Sequence, residues 1–154
     1  ILCSDYCFNS GPFLAPAMFS DLVTPELSRL IQGYRQLGLY AIKHTDGNIM
    51  PILDDLLQAG PHALHSLDPM AGVDIAEVKR RAGGRVCLIG NVNCALMQTG
   101  TDREVLDSCA YALSHGAPGG GYIFSTSNVV FRGMPKARYE LMLQYWRARR
   151  RDTY

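Results

Sequence analysis

Leu39-Tyr40-Ala41-Ile42-Lys43-His44-Thr45-Asp46-Gly47 runs from apolar residues into a polar exit. Pro51 and an apolar-periodic segment follow. This order reads as a buried strand, its exit, and the start of a helix. His44 and Asp46 are two apart, so on an extended chain both side chains point to one face. An imidazole and a carboxylate so placed can share a proton, ligate a metal or hold a polar substrate. The plainer alternative makes Asp46 a helix cap and His44 a satisfied polar residue. Recurrence of the pattern elsewhere in the chain favours the first reading.

Upstream, Ile1 to Asp5 reads as a short strand ending in Asp5 and Tyr6, and Asn9-Ser-Gly-Pro12 as a loop. Ala17 to Val23 reads as a short helix. Thr24, with Pro25 behind it and Glu26 in the first turn, reads as the N-cap of a helix carrying Leu27, Leu30, Ile31, Tyr34 and Leu37. Downstream, the expected order is helix 49–59, strand 63–67, a helix capped by Asp74 with Glu77, and strand 86–89. A helix opened by the capping box Thr101-Asp-Arg-Glu104, strand 122–124 and a last helix from Pro135 complete it. Gly119-Gly-Gly121 precedes a strand, so it is no phosphate loop. The cluster Arg147 to Arg151 reads as a solvated helix end. Short Ile/Leu/Val-rich strands alternating with helices imply an α/β fold with a parallel sheet.

The strand C-termini carry Asp5 and Tyr6, His44 and Asp46, His65 and Asp68, Asn91 and Asn93, and Ser125 and Asn128. The opposite ends carry plain turns at Gly38, Gly60, Gly83-Gly84 and Gly116. Polar groups at every strand end match a parallel (β/α) TIM-barrel-type fold better than a doubly wound sheet, which gathers ligands at one switch point. A full barrel takes roughly 200 residues or more. The chain has 154, enough for about five βα units. The expectation is one partial-barrel domain, 1–154, lacking an N-terminal portion and completed by that portion or by another subunit, as in a homo-oligomer.

Apolar residues make up 47% of the sequence and charged residues 19%, so a packed core is expected rather than disorder. A net charge of +1 gives no general attraction to nucleic acid or an anionic membrane. No apolar run approaches the roughly 20 residues of a membrane span. The start at Ile1 shows neither a basic leader nor a Met, so no signal peptide is expected. The five cysteines, 3, 7, 87, 94 and 109, fit no zinc spacing and are expected as buried free thiols in a reducing cytoplasm.

In order and spacing, several motifs resemble the uroporphyrinogen decarboxylase superfamily, which includes corrinoid-dependent methyltransferases. They are Asp5-Tyr6, Gly11-Pro12, Ala15-Pro16, His44-Thr-Asp-Gly47, Ala59-Gly60, Leu67-Asp68, Ile89-Gly-Asn91, Gly100-Thr101 and Gly120-Gly-Tyr-Ile123. The resemblance matches the C-terminal half of the family's barrel. It implies a carboxy-lyase that acts on a tetrapyrrole or other small carboxylate without a cofactor, through protein acids and hydrogen bonds. Asn91 matches the family's Gly-Asn after the seventh strand. Asn128 stands where the family's late histidine falls, and an amide supplies no titrating proton.

The methyltransferase members imply the alternative, a zinc site of His-x-Cys plus a later Cys. His44 matches the first ligand, Asp46 stands at the first Cys, and Ser127 or Asn128 lies near the second. Such a site would bind metal through His44 and Asp46 with oxygen in place of sulfur. A third reading is a half-barrel without catalysis of its own. On the main reading His44, Asp46 and Asp68 are the catalytic candidates. Asp5, Tyr6, Asn91, Ser125 and Asn128 are the candidates for binding substrate. Asp68 before Pro69 also suits a turn. By alternation His65 is expected to face the helices, and His62 and His115 to lie on the surface.

Overall fold

A computed structural model describes residues 1–151; residues 152–154 of the expected domain lie outside the described residues. The chain runs β1 (Leu2–Cys3), β2 (Cys7–Phe8), β3 (Gly11–Pro12), α1 (Pro16–Leu22), α2 (Thr24–Gln36) and β4 (Ile42–Thr45). A 3₁₀ turn at Met50–Ile52 leads into α3 (Leu53–Gln58), then β5 (Ala63–Ser66), a 3₁₀ turn at Pro69–Ala71 and α4 (Ile75–Ala82). The rest is β6 (Cys87–Val92), α5 (Cys94–Thr99), α6 (Asp102–Gly116), β7 (Tyr122–Thr126) and α7 (Lys136–Arg149). Five strands form one sheet in the order β1-β4-β5-β6-β7, every pair parallel.

Register sorts the strand residues into two faces. Leu2, Lys43, Leu64, Leu88 and Tyr122 lie side by side. Leu64, Leu88 and Tyr122 of this row are buried with Leu56, Ile75 and Leu113 of the helices. The alternate row is Cys3, His44, His65, Ile89 and Ile123. It is partly wet, with Ile123 52% exposed. Helices thus cover one face of the wall, and the inner face of the barrel-type sheet is open among the described residues.

Several local expectations are revised. The segment read as a loop, Asn9 to Pro12, contributes to an antiparallel hairpin, β2–β3. Thr24 is not a cap. Val23, itself helical, is the only residue between α1 and α2 and sits at the N-cap position. The buried Thr24 hydroxyl is freed to bond the Phe19 carbonyl and Asp55. The helix expected over 49–59 starts as a 3₁₀ turn, yet it buries the same face, Ile52, Leu53, Leu56 and Leu57. Asp74 caps α4 through the Ala76 N–H, whereas Glu77 pairs with Arg80 instead of closing a box. The capping box at Thr101 and Glu104 is complete. Strand β6 extends past Ile89 to Val92, and the six-residue α5 that follows was not foreseen. Its cap is Asn93, which accepts from the N–H groups of Ala95 and Leu96.

Glycine is required at position 47. Its φ is +83°, and a Cβ there would meet the Cys7 carbonyl group and come within 2.8 Å of the Phe8 oxygen. The β2–β3 hairpin therefore rests directly on the backbone that leaves β4, where the Asn48 N–H also bonds the Phe8 carbonyl.

All five thiols are free, but only four are shielded to any degree, because Cys3 is exposed. Burial pushes Cys109 up to about 12. Burial, helped by the charge of Asp5, pushes Cys7 up to about 11. Since the thiolate is the reactive form, iodoacetamide at pH 8 is expected to modify Cys3 first and Cys109 last. Peptide mass mapping over time measures this order; equal rates would mean that the helix layer does not shield its thiols.

No helix among the described residues is long and apolar enough to cross a membrane. The basic end of α7 is not merely solvated: Arg149 and Arg150 lie over the rings of Tyr145 and Trp146.

Candidate functional site

Parallel strands bring their C-terminal ends to one rim, and the tips of β1, β4 and β7 meet there. Asp46 lies just beyond β4. One of its oxygens accepts a 2.7 Å bond from the Asn128 amide, beyond β7. The other is buried and has no hydrogen-bond partner among the described residues. This free oxygen lies 3.7 Å from Nε2 of His44. Asp5, beyond β1, accepts the Asp46 backbone N–H at 2.9 Å. One ligand atom each from Asp5, His44 and Asp46 lies within 4.8 Å of the other two.

The other nitrogen of His44, Nδ1, is 2.7 Å from Nδ1 of His65. This corrects the expectation that His65 faces the helices. In a parallel pair, residues in register share a face, and His44 is in register with His65. The sequence misled because Leu67, two residues on, has a φ of +56°. That left-handed residue breaks the period of two between His65 and Asp68, so the position of Asp68 says nothing about the direction of His65.

Within the His44–His65 pair one ring nitrogen donates to the other, and which one does so depends on the tautomers. Nε2 of His44 is turned towards the second oxygen of Asp46. Burial, reinforced by neighbouring His44, holds the proton affinity of His65 below the usual histidine value.

Beside this cluster lies a cleft of about 320 Å³, lined in part by Asp68, Met70, Cys94, Asn128, Val129 and Phe131. Asp68 has the turn role read from the sequence and also borders the cleft. It caps the turn at Pro69 by accepting the Met70 N–H at 3.0 Å, and it faces the cleft. Burial raises its carboxyl above the usual range, and the charge of Asp46 adds to the rise.

The remaining candidates occupy different positions. Asn91 is buried and donates to the Leu67 carbonyl at 2.9 Å, fixing the left-handed residue before Asp68. Ser125 is half-buried on β7, level with Asn91. The Tyr6 ring packs edge-on against Phe19 and beneath the Lys43 ammonium, on the helix side. The hydroxyl of buried Ser127 accepts the Cys94 N–H. His62 is half-buried, its ring accepting the Ala41 N–H, and His115 is exposed. Cys94 was not singled out in the sequence. Its sulfur accepts the Asn128 N–H at 3.2 Å, a contact between distant segments that no local spacing signals.

Lys43 underlies the rim at 1% exposure. Its ammonium donates to the carbonyls of Ser4 at 2.7 Å and His44 at 2.8 Å, holding β1 to β4. Burial pushes its pKa down to about 8, although the charges of Asp5 and Cys3 oppose the fall. The unfolded chain keeps this proton up to about 10.5, so between pH 8 and 10.5 folding releases it. Raising the pH through that window favours the native state. The stability of the natural chain relative to Lys43→Met is therefore expected to rise between pH 7.5 and 10.5, as measured by urea unfolding. A constant difference would mean that the amine is solvated.

A parallel βα wall with its polar groups gathered at the strand C-termini is of the (β/α) barrel class. The match to the family described as uroporphyrinogen decarboxylase (URO-D) spans residues 1–149, and the chain belongs to that family. Among solved structures, a methyltransferase from Methanosarcina mazei has a TM-score of 0.74 at 19% identity, covering 88% of this chain. At that identity the likeness is one of fold, and the chain spans 38% of the length of that structure. No curated protein matches the chain significantly.

Proposed function

We propose that the chain forms the acid-and-imidazole rim of an enzyme transferring a methyl-sized group to a hydroxyl or thiol of a small substrate. The observation that carries this is the buried Asp46 Oδ1, without a hydrogen-bond partner among the described residues, 3.7 Å from His44 Nε2 and beside the cleft. A substrate X–H donor would bond to this oxygen. As the X–C bond forms and the bond from carbon to its donor breaks, the proton passes to the cluster. Asn128 holds Asp46 in place, while Met70, Val129 and Phe131 give the cleft an apolar side.

Decarboxylation is the second reading, and its supporting observation is Asp68, whose raised proton affinity suits a general acid. The charge pattern ranks it lower. Asp5, Asp46 and Asp68 all face the rim region, and among the described residues no arginine or lysine lines the cleft, so this part of the wall offers a polycarboxylate no cation.

The test offers the chain a thiol with methylcobalamin, and separately uroporphyrinogen. The expected result is methylation of the thiol that depends on His44. Carbon dioxide release from uroporphyrinogen with no methyl transfer would overturn the proposal.

A further inference from the structure

We infer that Cys94 is a positioning residue for the proposed group transfer: its thiol clasps the backbone of Asn128 and so aims the Asn128 amide at Asp46. The inference rests on that reading of the rim and names a residue that sets the acceptor oxygen by acting through another.

Between Thr126 and Lys136 the described chain forms neither helix nor strand. Asn128 nevertheless meets a carboxylate 82 positions earlier. The direction of its amide is fixed locally. Oδ1 accepts the Val129 N–H at 2.7 Å, so the nitrogen end is the one turned to Asp46, also at 2.7 Å. The place from which the side chain starts is fixed by Cys94. The sulfur accepts the Asn128 N–H at 3.2 Å, and the thiol donates to the Asn128 carbonyl at 3.6 Å. A thiol is a weak donor and a weak acceptor at once, so one side chain serves both backbone groups of one residue.

Two more bonds close the clasp. The Cys94 N–H donates to the hydroxyl of buried Ser127 at 3.4 Å, and the Ser127 N–H donates to the Val92 carbonyl at 2.8 Å. The end of β6 and the start of α5 thereby grip the chain as it leaves β7. The footing is firm: Cys94 is 6% exposed and follows the Asn93 cap of α5. The Asn128 carbonyl would keep a partner without the thiol, because the Thr126 hydroxyl also donates to it. The Asn128 N–H relies on the sulfur. A buried thiol that only fills space would leave Asn128 where it is when replaced. A clasp would not: with the sulfur gone, the amide is free to leave Oδ2 of Asp46, and the carboxylate loses the bond that presents Oδ1 beside the cleft.

Nuclear magnetic resonance of the ¹⁵N-labelled full chain reads the Asn128 side-chain amide whether or not the chain turns over substrate. Asn128→Ala assigns the signal by removing it. Asp46→Ala should shift it towards the position of a free asparagine amide. Cys94→Ala is expected to shift it the same way, and Cys94→Ser, which keeps a donor and an acceptor, to restore most of the natural position. Cys94→Val fills the space without either and repeats the test should the alanine variant not fold; circular dichroism confirms the fold of each. In methyl transfer from methylcobalamin to a thiol, Cys94→Ala should lower kcat by up to about tenfold with little change in KM. In an Asn128→Ala background the same substitution should have no further effect, since its route is gone. An Asn128 signal that keeps its natural position in folded Cys94→Ala or Cys94→Val would overturn the clasp, as would a loss of kcat undiminished in the Asn128→Ala background. The two proposals fail separately. Shifted amide signals in a chain without methyl transfer defeat the functional reading alone, whereas methyl transfer that depends on Asp46 but not on Cys94 defeats the positioning role alone.

Discussion

Gly47→Val is expected to remove about 4 kcal/mol of folding stability, out of the roughly 5–15 kcal/mol typical of a domain. Two costs combine. A β-branched residue at a φ of +83° is strained, and its Cβ collides with backbone of Cys7 and Phe8, which cannot swing aside as a side chain can. Gly38 supplies the control. It has a similar φ of +74°, but a Cβ there meets nothing within 4 Å. Gly38→Ala should therefore cost only about 1 kcal/mol, the conformational part. Urea unfolding of the two variants separates the terms. A loss below 1 kcal/mol in Gly47→Val would show that the hairpin moves freely and does not brace the rim.

The second large effect falls on Asp46. Asp46→Ala is expected to lower kcat/KM for methyl transfer about 1,000-fold, because it removes both the acceptor beside His44 and the anchor for Asn128. Asn128→Ala should cost only about tenfold, since the amide positions the carboxylate without replacing it. Asp68→Asn discriminates between the two readings of the chemistry. Under group transfer its effect stays below that of Asp46→Ala; under decarboxylation Asp68, as the proton donor, has the larger effect. Steady-state kinetics of the three variants, with thiol and with uroporphyrinogen, decides the order.

The barrel class was legible because it follows from an asymmetry that sequence preserves: polar residues after each apolar strand, glycine turns before it. The placement of His44, Asp46 and Asp68 at the strand ends was legible for the same reason, since each follows an apolar run. Contacts across the rim were not. The bond from Asn128 to Asp46 joins residues 82 apart, and nothing local in either segment signals it. His65 was misassigned because one left-handed residue, Leu67, interrupts the alternation. Helix α5 was missed because six residues are too few to establish a helical period. The hairpin was missed because its strands are two residues each, and Gly11-Pro12 reads equally well as a bare turn.

The two ends of the sheet are unequal. At one border stands β1, only two residues long; at the other stands β7, with five. Amide and carbonyl groups along a border strand invite pairing with further polypeptide, and the number of available bonds grows with its length. A segment that extends this wall beyond β7 borders its longer strand, and the Asn128 that steadies Asp46 lies just past it. Docking on that flank would therefore be felt at the carboxylate, coupling assembly of the wall to the poise of its chemistry.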